Sequence, residues 1–379
     1  MIRRVLLLTT VLTACSGSDS KNSDDGQVAP EDGSAPVGRC DSLGAVGVWE
    51  NITPAGVDLS GFGMSHISIA PNNPSTLFAS GDKSGIYKSI DCGASWVHVD
   101  TGTLGAEIDT GTASVVIDPS NPDVLYTGSL YGLNGFFKST NGGVDFAETF
   151  PPDIKKYIPY GGFIGGVSMD PSNPLHLLVA FHDKCAAPYN SSCYVETTDG
   201  AKTWVIRNGE ASWNGGEGSA LQFLTSDSWL FSSSSNGMWS STDHGAHWTQ
   251  IPNAQISHGA GQLYRAPNGS YFLGSATGVL YSANGSAWET VPGSGNNAAG
   301  VVGDGTTVWT GMAYPFNPTQ RPTMPAQLFR TAQISAPTTW TTLASPSLTS
   351  GGTVLAYDPD RHILYSTNYW EGVYRVVVK

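Results

Sequence analysis

An eight-residue pattern, Ser-x-Asp-x-Gly-x-x-Trp, recurs along the chain and constrains the fold more than any other feature. It first occurs as SIDCGASW at 89–96. Related stretches follow as STNGGVDF (139–146), TTDGAKTW (197–204), STDHGAHW (241–248) and the shortened SANGSAW (282–288). Their third positions are separated by 41 to 58 residues, a spacing that indicates repetition of one supersecondary unit.

Each copy occupies the same place in a series of short strands. A strand such as HISIAP, a turn containing Asn-Pro, a strand such as LFAS and a Gly-led strand such as GIYKS precede it, and a last strand begins at its Trp. Alternation of apolar and polar residues in these runs is typical of half-buried antiparallel strands. The 46 glycines agree with many tight turns. The sequence therefore predicts an all-β protein made of four-stranded units.

Two further units lack the pattern. One runs from AAGVVGDG to TTWTTL, and the other, from GGTVLAYDP to EGVYRVVV, has three strands before the sequence stops. The stretch GVWENIT at 47–53 has the form of the missing fourth strand. Pairing it with the last unit closes a ring and leaves no open sheet edge. We therefore predict a seven-bladed β-propeller over residues 40–379.

The recurring pattern has a structural explanation at every position. The Asp accepts hydrogen bonds from backbone N–H groups of a tight turn, the Ser or Thr caps the same turn, Gly supplies a positive φ, and the Trp packs between sheets. Its third-position residues are therefore expected to be structural, not catalytic: Asp91, Asn141, Asp199, Asp243 and Asn284.

The N-terminal stretch, MIRRVLLLTTVLTAC, is typical of an export signal. Its apolar run is too short to stay in a bilayer, and the residues up to Cys15 resemble the lipobox of bacterial lipoproteins. We expect a signal peptide over 1–15, lipidation at Cys15, and a flexible acidic tether over 16–39. This predicts a bacterial cell-envelope lipoprotein, periplasmic or surface-exposed, that contacts the membrane through its lipid anchor alone.

The remaining four cysteines form an even set in a chain expected to be exported. Cys185 and Cys193 fit the ends of one loop, which leaves Cys40 to pair with Cys92. Two disulfides are therefore predicted, and no cysteine pair has the spacing of zinc ligands.

The repeats resemble the Asp-box (BNR) repeats of β-propellers, which occur in sialidases, two-propeller xyloglucanases, sortilin-type receptors and photosystem assembly factors. The resemblance covers roughly residues 45–379. It implies the propeller fold and implies that the turns lie on the face opposite the ligand site. Because proteins with these repeats do unrelated things, the motif does not specify a function.

Ligands of propellers usually bind at the mouth of the central channel. Aligning the innermost strands places at this mouth His66, Thr112, Gly166, Glu217, His258, Gly300 and Gly351. Two imidazoles and a carboxylate there can bind a divalent metal or act as acid and base; alternatively they fill the channel and bond to backbone or water. No other cofactor is expected.

Loops on the same face carry aromatic residues that can stack on sugar rings, or pack on one another: Tyr131, Tyr160, Trp213, Tyr314, Tyr369 and Trp370. The expected partner is a glycan or a surface protein. A net charge of −13 without a basic run argues against nucleic acid. We expect a monomer.

Comparison with two enzyme groups narrows the chemistry. Sialidases carry an Arg-Ile-Pro motif, which is absent here, and bind a carboxylate with three arginines, whereas Arg207, Arg265, Arg330 and Arg375 fall within predicted strands. The stretch FASGDKSGIYKS resembles a xyloglucanase segment in which Asp82 takes the place of the catalytic base. Candidates for the second acid are Glu217, Asp109, Asp183 and Glu371.

Three functional hypotheses remain. The first is a lipid-anchored propeller that recognises an extended glycan and hydrolyses it with Asp82 and Glu217, as a glycoside hydrolase. The second is a non-catalytic protein-binding or assembly propeller. The third is a polysaccharide lyase in which His66 or His258 acts with a tyrosine. Two acidic groups about 5–10 Å apart in an aromatic groove favour hydrolysis, and a mouth without such a pair favours binding.

Overall fold

The computed structural model describes residues 40–111, 114–128, 131–132, 134–215, 219–254, 256, 261–312, 330–345, 348 and 351–379. The predicted signal peptide, Cys15 and the tether lie outside these residues. In the part of the chain that the structure describes, no helix has the length and apolar character to cross a membrane.

Seven four-stranded antiparallel sheets form the structure, which confirms the predicted seven-bladed propeller. A first strand, β1 (Trp49–Asn51), precedes six complete blades, in each of which the chain runs from the innermost to the outermost strand. They are β2 (Met64–Ile69), β3 (Leu77–Gly81), β4 (Ile86–Ser89) and β5 (Val97–His98); β6 (Val116–Ile117), β7 (Leu125–Gly128), β8 (Phe136–Ser139) and β9 (Ala147–Glu148); β10 (Ile164–Asp170), β11 (Asn173–Phe181), β12 (Cys193–Thr197) and β13 (Val205–Asn208); β14 (Ala220–Phe223), β15 (Trp229–Ser233), β16 (Gly237–Ser241) and β17 (Thr249–Ile251); β18 (Leu263–Arg265), β19 (Tyr271–Ser275), β20 (Gly278–Ser282) and β21 (Glu289–Thr290); β22 (Ala298–Gly303), β23 (Thr307–Met312), β24 (Arg330–Gln333) and β25 (Ala336–Thr342).

The seventh blade closes the ring from both parts of the chain. It consists of β26 (Gly352–Asp358), β27 (Ile363–Asn368), β28 (Val373–Val377) and, outermost, β1. Trp49 pairs with Val376 in antiparallel register, as the sequence predicts for 47–53. Two short helices, α1 (Gly105–Ile108) and α2 (Pro152–Lys155), and a 3-10 turn at Pro159–Gly161 lie in connections between blades.

Arg375 stabilises the closure of the ring through three hydrogen bonds. The guanidinium of Arg375 on β28 donates hydrogen bonds to Glu50 Oε2 (2.8 Å), to the Cys92 carbonyl (2.7 Å) and to the Ser42 carbonyl (2.7 Å). Its side chain is only 5% exposed. Arg375 therefore joins the last blade, the first blade and the segment before β1, and it serves the fold instead of a ligand.

Both predicted disulfides are present. Cys40 is bonded to Cys92 across 52 residues of sequence, and Cys185 is bonded to Cys193 across 8. The first attaches the start of the described chain to the first blade, and the second closes one loop.

The core lies between neighbouring blades. Strands β3, β7, β15, β19 and β27, each the second of its blade, are buried along their whole length. One cluster joins Leu178 and Tyr194 of the third blade to Trp229 of the fourth, with ring centroids of Tyr194 and Trp229 6.3 Å apart. Such packing removes apolar side chains from water and stabilises the contact between neighbouring sheets.

The recurring turns have the predicted hydrogen bonds. In the first, Ser89 Oγ accepts the N–H of Gly93 (2.8 Å) and Asp91 Oδ1 accepts the N–H of Ser95 (2.9 Å). Positions four and five both have positive φ, 60° at Cys92 and 85° at Gly93. The copies at 139–146, 197–204 and 241–248 repeat this arrangement.

One copy departs from the glycine that the pattern predicts at position five. The copy at 197–204 carries glycine at position four, Gly200, and Ala201 at position five with φ of 69°. The hydrogen bonds of the turn hold this alanine in the left-handed region despite its Cβ. The hydroxyl and the backbone N–H of Thr203 also lower the pKa of Asp199 to about 2.

Candidate functional site

A cavity of about 690 Å³ occupies the centre of the ring. All seven innermost strands contribute residues to its wall. In four blades the register shifts at the start of the inner strand, between Met64 and His66 and at the equivalent points of β10, β22 and β26. Bulges of this kind bend a strand and redirect its side chains, and they often occur beside binding sites.

Aromatic side chains surround one end of this cavity. Phe62 and Phe163 precede innermost strands, and Tyr131, His182 and Tyr369 follow second strands. Because neighbouring strands are antiparallel, all of these positions lie at the same face of the ring. We call this group, together with Tyr160 and Trp370, the mouth cluster.

Ring contacts connect the members of the mouth cluster. The centroid of Tyr131 lies 5.3 Å from that of Phe62, 5.4 Å from that of Phe163 and 5.9 Å from that of His182. Tyr160 approaches Phe163 at 5.8 Å. Tyr160 is 69% exposed and Tyr131 37%, so both present apolar surface to the solvent at the mouth.

The seventh blade supplies the remaining two members. The rings of Tyr369 and Trp370 lie 6.5 Å apart, and the backbone N–H of Trp370 donates to the Phe62 carbonyl (3.0 Å). Burial raises the pKa of Tyr369 to about 12, so its hydroxyl stays protonated at neutral pH.

His66 lines the cavity, as predicted, and is bonded to the wall. Its Nε2 lies 2.9 Å from the Val115 carbonyl and 3.0 Å from Ser68 Oγ. The channel walls enclose the ring although it faces the cavity, and this burial lowers its pKa to about 4. His66 is therefore neutral near pH 7, with Nε2 placed as a hydrogen-bond donor to the carbonyl.

Asp82 does not line the cavity. Its side chain is buried, with the residue 5% exposed, and Oδ2 accepts the backbone N–H of Phe62 (3.1 Å). A Cβ at Gly61 would collide with this carboxylate, so the two fit closely. Asp82 thereby positions the segment that carries Phe62, a role that the sequence did not indicate.

Trp213 is buried, contrary to the expectation that it contacts a ligand. It is 2% exposed and stacks on Phe231 with ring centroids 3.8 Å apart. Trp239 and Trp248 pack against its edges at 5.6 and 5.4 Å. The indole therefore belongs to the core of the fourth blade, where no sugar can stack on it.

The other predicted mouth residues divide into two groups. Gly166 lines the cavity, Gly300 lies in β22 and Gly351 directly precedes β26. Four residues lie outside the described part of the chain, namely Thr112, Glu217, His258 and Tyr314.

The described wall of the cavity carries no Asp, Glu, Lys or Arg side chain. Asp109, a candidate second acid, contacts His98 (3.0 Å) beside the outermost strand of the first blade. Asp183 Oδ1 accepts the N–H of Lys184. The arginines lie in strands, as predicted: Arg207, Arg265, Arg330 and Arg375.

Sequence reasoning missed three members of the mouth cluster, namely Phe62, Phe163 and His182. A usable signal existed, because Phe163 stands directly before an innermost strand, Phe62 stands two residues before one, and His182 directly follows a second strand. Their ring contacts depend on neighbouring blades, which a strand pattern does not bring together.

Comparisons with known proteins identify the fold. No protein-family model matches the chain, and no curated protein matches it in sequence. Among solved structures it is similar to a GH74 xyloglucanase from Xanthomonas campestris, with 14% identity, 88% of this chain and 54% of that chain covered, and a TM-score of 0.58. The chain thus spans about half the length of that enzyme.

Two other solved structures match over nearly their full length. YCF48 from Cyanidioschyzon merolae has 9% identity, 88% of this chain and 98% of that chain covered, and a TM-score of 0.58. The RRP9 WD40 repeats have 12% identity, 87% and 100% covered, and a TM-score of 0.58. At such identities the likeness concerns the fold, and by its fold the chain is a seven-bladed β-propeller.

Proposed function

We propose that the protein binds an extended, uncharged glycan at the mouth of its channel and does not cleave it. The observation that carries this proposal is an exposed aromatic cluster above a cavity whose described wall has no charged Asp, Glu, Lys or Arg side chain. Neutral sugars present apolar C–H faces that stack on aromatic rings, and they need no counter-charge.

The dimensions and the polar groups of the site agree with this ligand class. A cavity of about 690 Å³ falls in the usual range for small-ligand sites. Tyr131 and Tyr160 offer exposed rings, and Ser65 and Tyr369, which line the cavity, both carry hydroxyl groups of the kind that bonds sugar hydroxyls. Binding therefore combines stacking with a few directed hydrogen bonds.

Catalysis has less support from the described residues. Glycoside hydrolysis requires two carboxyl groups about 5–9.5 Å apart that face the ligand. Asp82 is buried and accepts the N–H of Phe62, so it serves the loop. A lyase base at His66 is disfavoured because its pKa is lowered to about 4 and Nε2 already faces the Val115 carbonyl.

We also propose that the propeller works outside the cytoplasm, held to a membrane by lipid on Cys15. Two disulfides, Cys40–Cys92 and Cys185–Cys193, support an oxidising compartment. The repeats are proposed to be Asp-box repeats, on the basis of the turn hydrogen bonds and the spacing.

The test is a polysaccharide-array binding assay with the full-length chain. For the glycan that the wild type binds on the array, Tyr160→Ala is expected to lower the affinity about 2- to 10-fold, because one stacking contact contributes a free energy of that size. The matched control is Tyr374→Ala, since Tyr374 lies on β28, outside the cavity wall, and contacts Asn51. This control is expected to bind like the wild type.

A hydrolysis assay on the same glycans separates the hypotheses. We expect no release of reducing ends. If the wild type releases reducing ends and Glu217→Gln does not, the binding proposal is wrong and the glycoside hydrolase hypothesis is supported. Failure to bind any neutral glycan would contradict the carbohydrate proposal and leave a protein-binding propeller.

A further inference from the structure

Three ligand-type side chains converge beside the first blade, away from the central cavity. His98 lies in β5, Asp100 follows that strand, and Asp109 follows helix α1. Nε2 of His98 lies 2.9 Å from Asp100 Oδ1 and 3.0 Å from Asp109 Oδ1. The three donor groups lie within 4.8 Å of one another.

Gly85 forms the floor of this cluster. Its φ is +70°, and a Cβ built on it would collide with Asp109 Oδ1, His98 Nε2 and Asp100 Oδ2. All three side chains therefore point at the same small space above the glycine. No larger residue fits there without displacing them.

Hydrogen bonds within the described residues do not complete the cluster. Asp100 is 1% exposed, its Oδ1 accepts the N–H of Ile86 (3.0 Å), and its Oδ2 has no hydrogen-bond partner among the residues described. A buried carboxylate oxygen without a partner is costly. Both carboxylates also face the same imidazole nitrogen, which has one hydrogen to share between them.

A second histidine cluster in the same molecule shows what a complete arrangement looks like. Nδ1 of His176 lies 3.3 Å from Asp170 Oδ2, and its Nε2 lies 2.9 Å from Glu196 Oε1. The positively charged guanidinium of Arg207 donates from Nε to Glu196 Oε2 (2.8 Å). Each nitrogen has its own carboxylate there, and a cation is already present, so no ion is needed.

We propose that His98, Asp100 and Asp109 bind a divalent transition-metal cation, with Zn²⁺ as the expected ion. Two carboxylates balance the charge of such a cation, and a nitrogen ligand favours it over Ca²⁺, which prefers oxygen ligands alone. Tetrahedral ligands held about 2.1 Å from Zn²⁺ lie about 3.4 Å apart. The two N···O separations, 2.9 and 3.0 Å, are hydrogen-bond distances slightly shorter than this, so the side chains have to separate by a few tenths of an ångström when the ion enters.

The bound ion would fix the connection between the first and second blades. Asp100 Oδ1 holds Ile86 of β4, Asp109 ends helix α1, and the N–H of Lys83 donates to the Gly111 carbonyl (3.2 Å). These segments lie on the mouth face, at the outer end of the first blade. Metal binding is therefore expected to raise the thermal stability of the chain.

The experiment is isothermal titration of Zn²⁺, and separately of Ca²⁺, into the full-length chain after removal of metal by a chelator. The wild type is expected to bind about one Zn²⁺ with a Kd of about 10 μM or lower, and Ca²⁺ at least about tenfold more weakly. Asp109→Asn should weaken Zn²⁺ binding at least about tenfold and abolish the rise in Tm. This variant is expected to fold, because the Asp109 side chain is one-third exposed and its described side-chain contact is His98.

The matched control is Asp243→Asn. Asp243 also faces a histidine, His247, but this pair is exposed and has one carboxylate. It should bind Zn²⁺ like the wild type. The proposal is overturned if the wild type binds no Zn²⁺ below about 100 μM, if Asp109→Asn binds it equally well, or if Ca²⁺ binds more tightly.

Discussion

Replacing Arg375 by methionine should destabilise the propeller strongly. Its guanidinium makes three hydrogen bonds of 2.7–2.8 Å, to Glu50, Cys92 and Ser42. Charged hydrogen bonds contribute roughly 1.5–3 kcal/mol each, and part of this is offset by desolvation of the buried cation. Methionine keeps most of the volume but leaves Glu50 and two carbonyls without this partner. The expected loss in the free energy of unfolding is about 3–5 kcal/mol.

Arg207→Met is the matched control for this prediction. Arg207 also lies in a strand and donates to a glutamate, Glu196, at 2.8 Å, but its side chain is 51% exposed, against 5% for Arg375. Glu196 keeps its hydrogen bond to His176 in the variant. We expect a loss of about 1 kcal/mol or less. Urea denaturation, followed by tryptophan fluorescence, measures the free energy of unfolding of both variants. Equal losses in the two variants, or a loss below about 1 kcal/mol for Arg375→Met, would refute the role of Arg375 in closing the ring.

Two further predictions concern the disulfides and the pH dependence of stability. Cys40→Ser removes a disulfide whose cysteines are 52 residues apart, and the loop entropy of the unfolded chain predicts a loss of about 4 kcal/mol in the free energy of unfolding. For Cys185→Ser, where the separation is 8 residues, the predicted loss is about 2.5 kcal/mol. Equal denaturation midpoints for the two variants would contradict this ranking. Folding lowers the pKa of His66 from 6.5 to about 4, so below pH 6.5 the unfolded chain binds a proton that the folded chain does not. The wild type therefore loses stability as the pH falls from about 6.5 to about 4, by at most about 3 kcal/mol. His66→Gln should reduce this slope in pH-dependent denaturation, and an unchanged slope would show that the imidazole is not buried.

The fold was predictable because its determinants are local and repeated. Each recurring turn holds its own Asp and Ser or Thr within eight residues, so the sequence shows the whole hydrogen-bonded unit. The closing strand at 47–53 was recognisable because the last unit lacks its fourth strand. The cysteine pairs followed from loop ends and even number, and the structure confirms them.

The candidate site was only partly predictable, because burial depends on neighbouring blades. Trp213 and Tyr160 both follow strands in aromatic loops, yet the first is 2% exposed and the second 69%. Trp213 is covered because Phe231 and two tryptophans of the fourth blade meet it. A strand pattern gives the face of a residue but not what packs on it from the next sheet.

Three aspartates of the first blade show what decides the role of a carboxylate. Asp91 accepts hydrogen bonds from the N–H and the hydroxyl of Ser95 within its own turn. Asp82 accepts a hydrogen bond from the N–H of Phe62 in a neighbouring segment. Each has a protein donor and therefore a structural task. Asp100 differs, because one of its buried oxygens has no partner among the described residues and points at the space shared with His98. Ligand chemistry is therefore expected where the fold leaves a carboxylate oxygen unsatisfied, and not where the most recognisable motif places an aspartate.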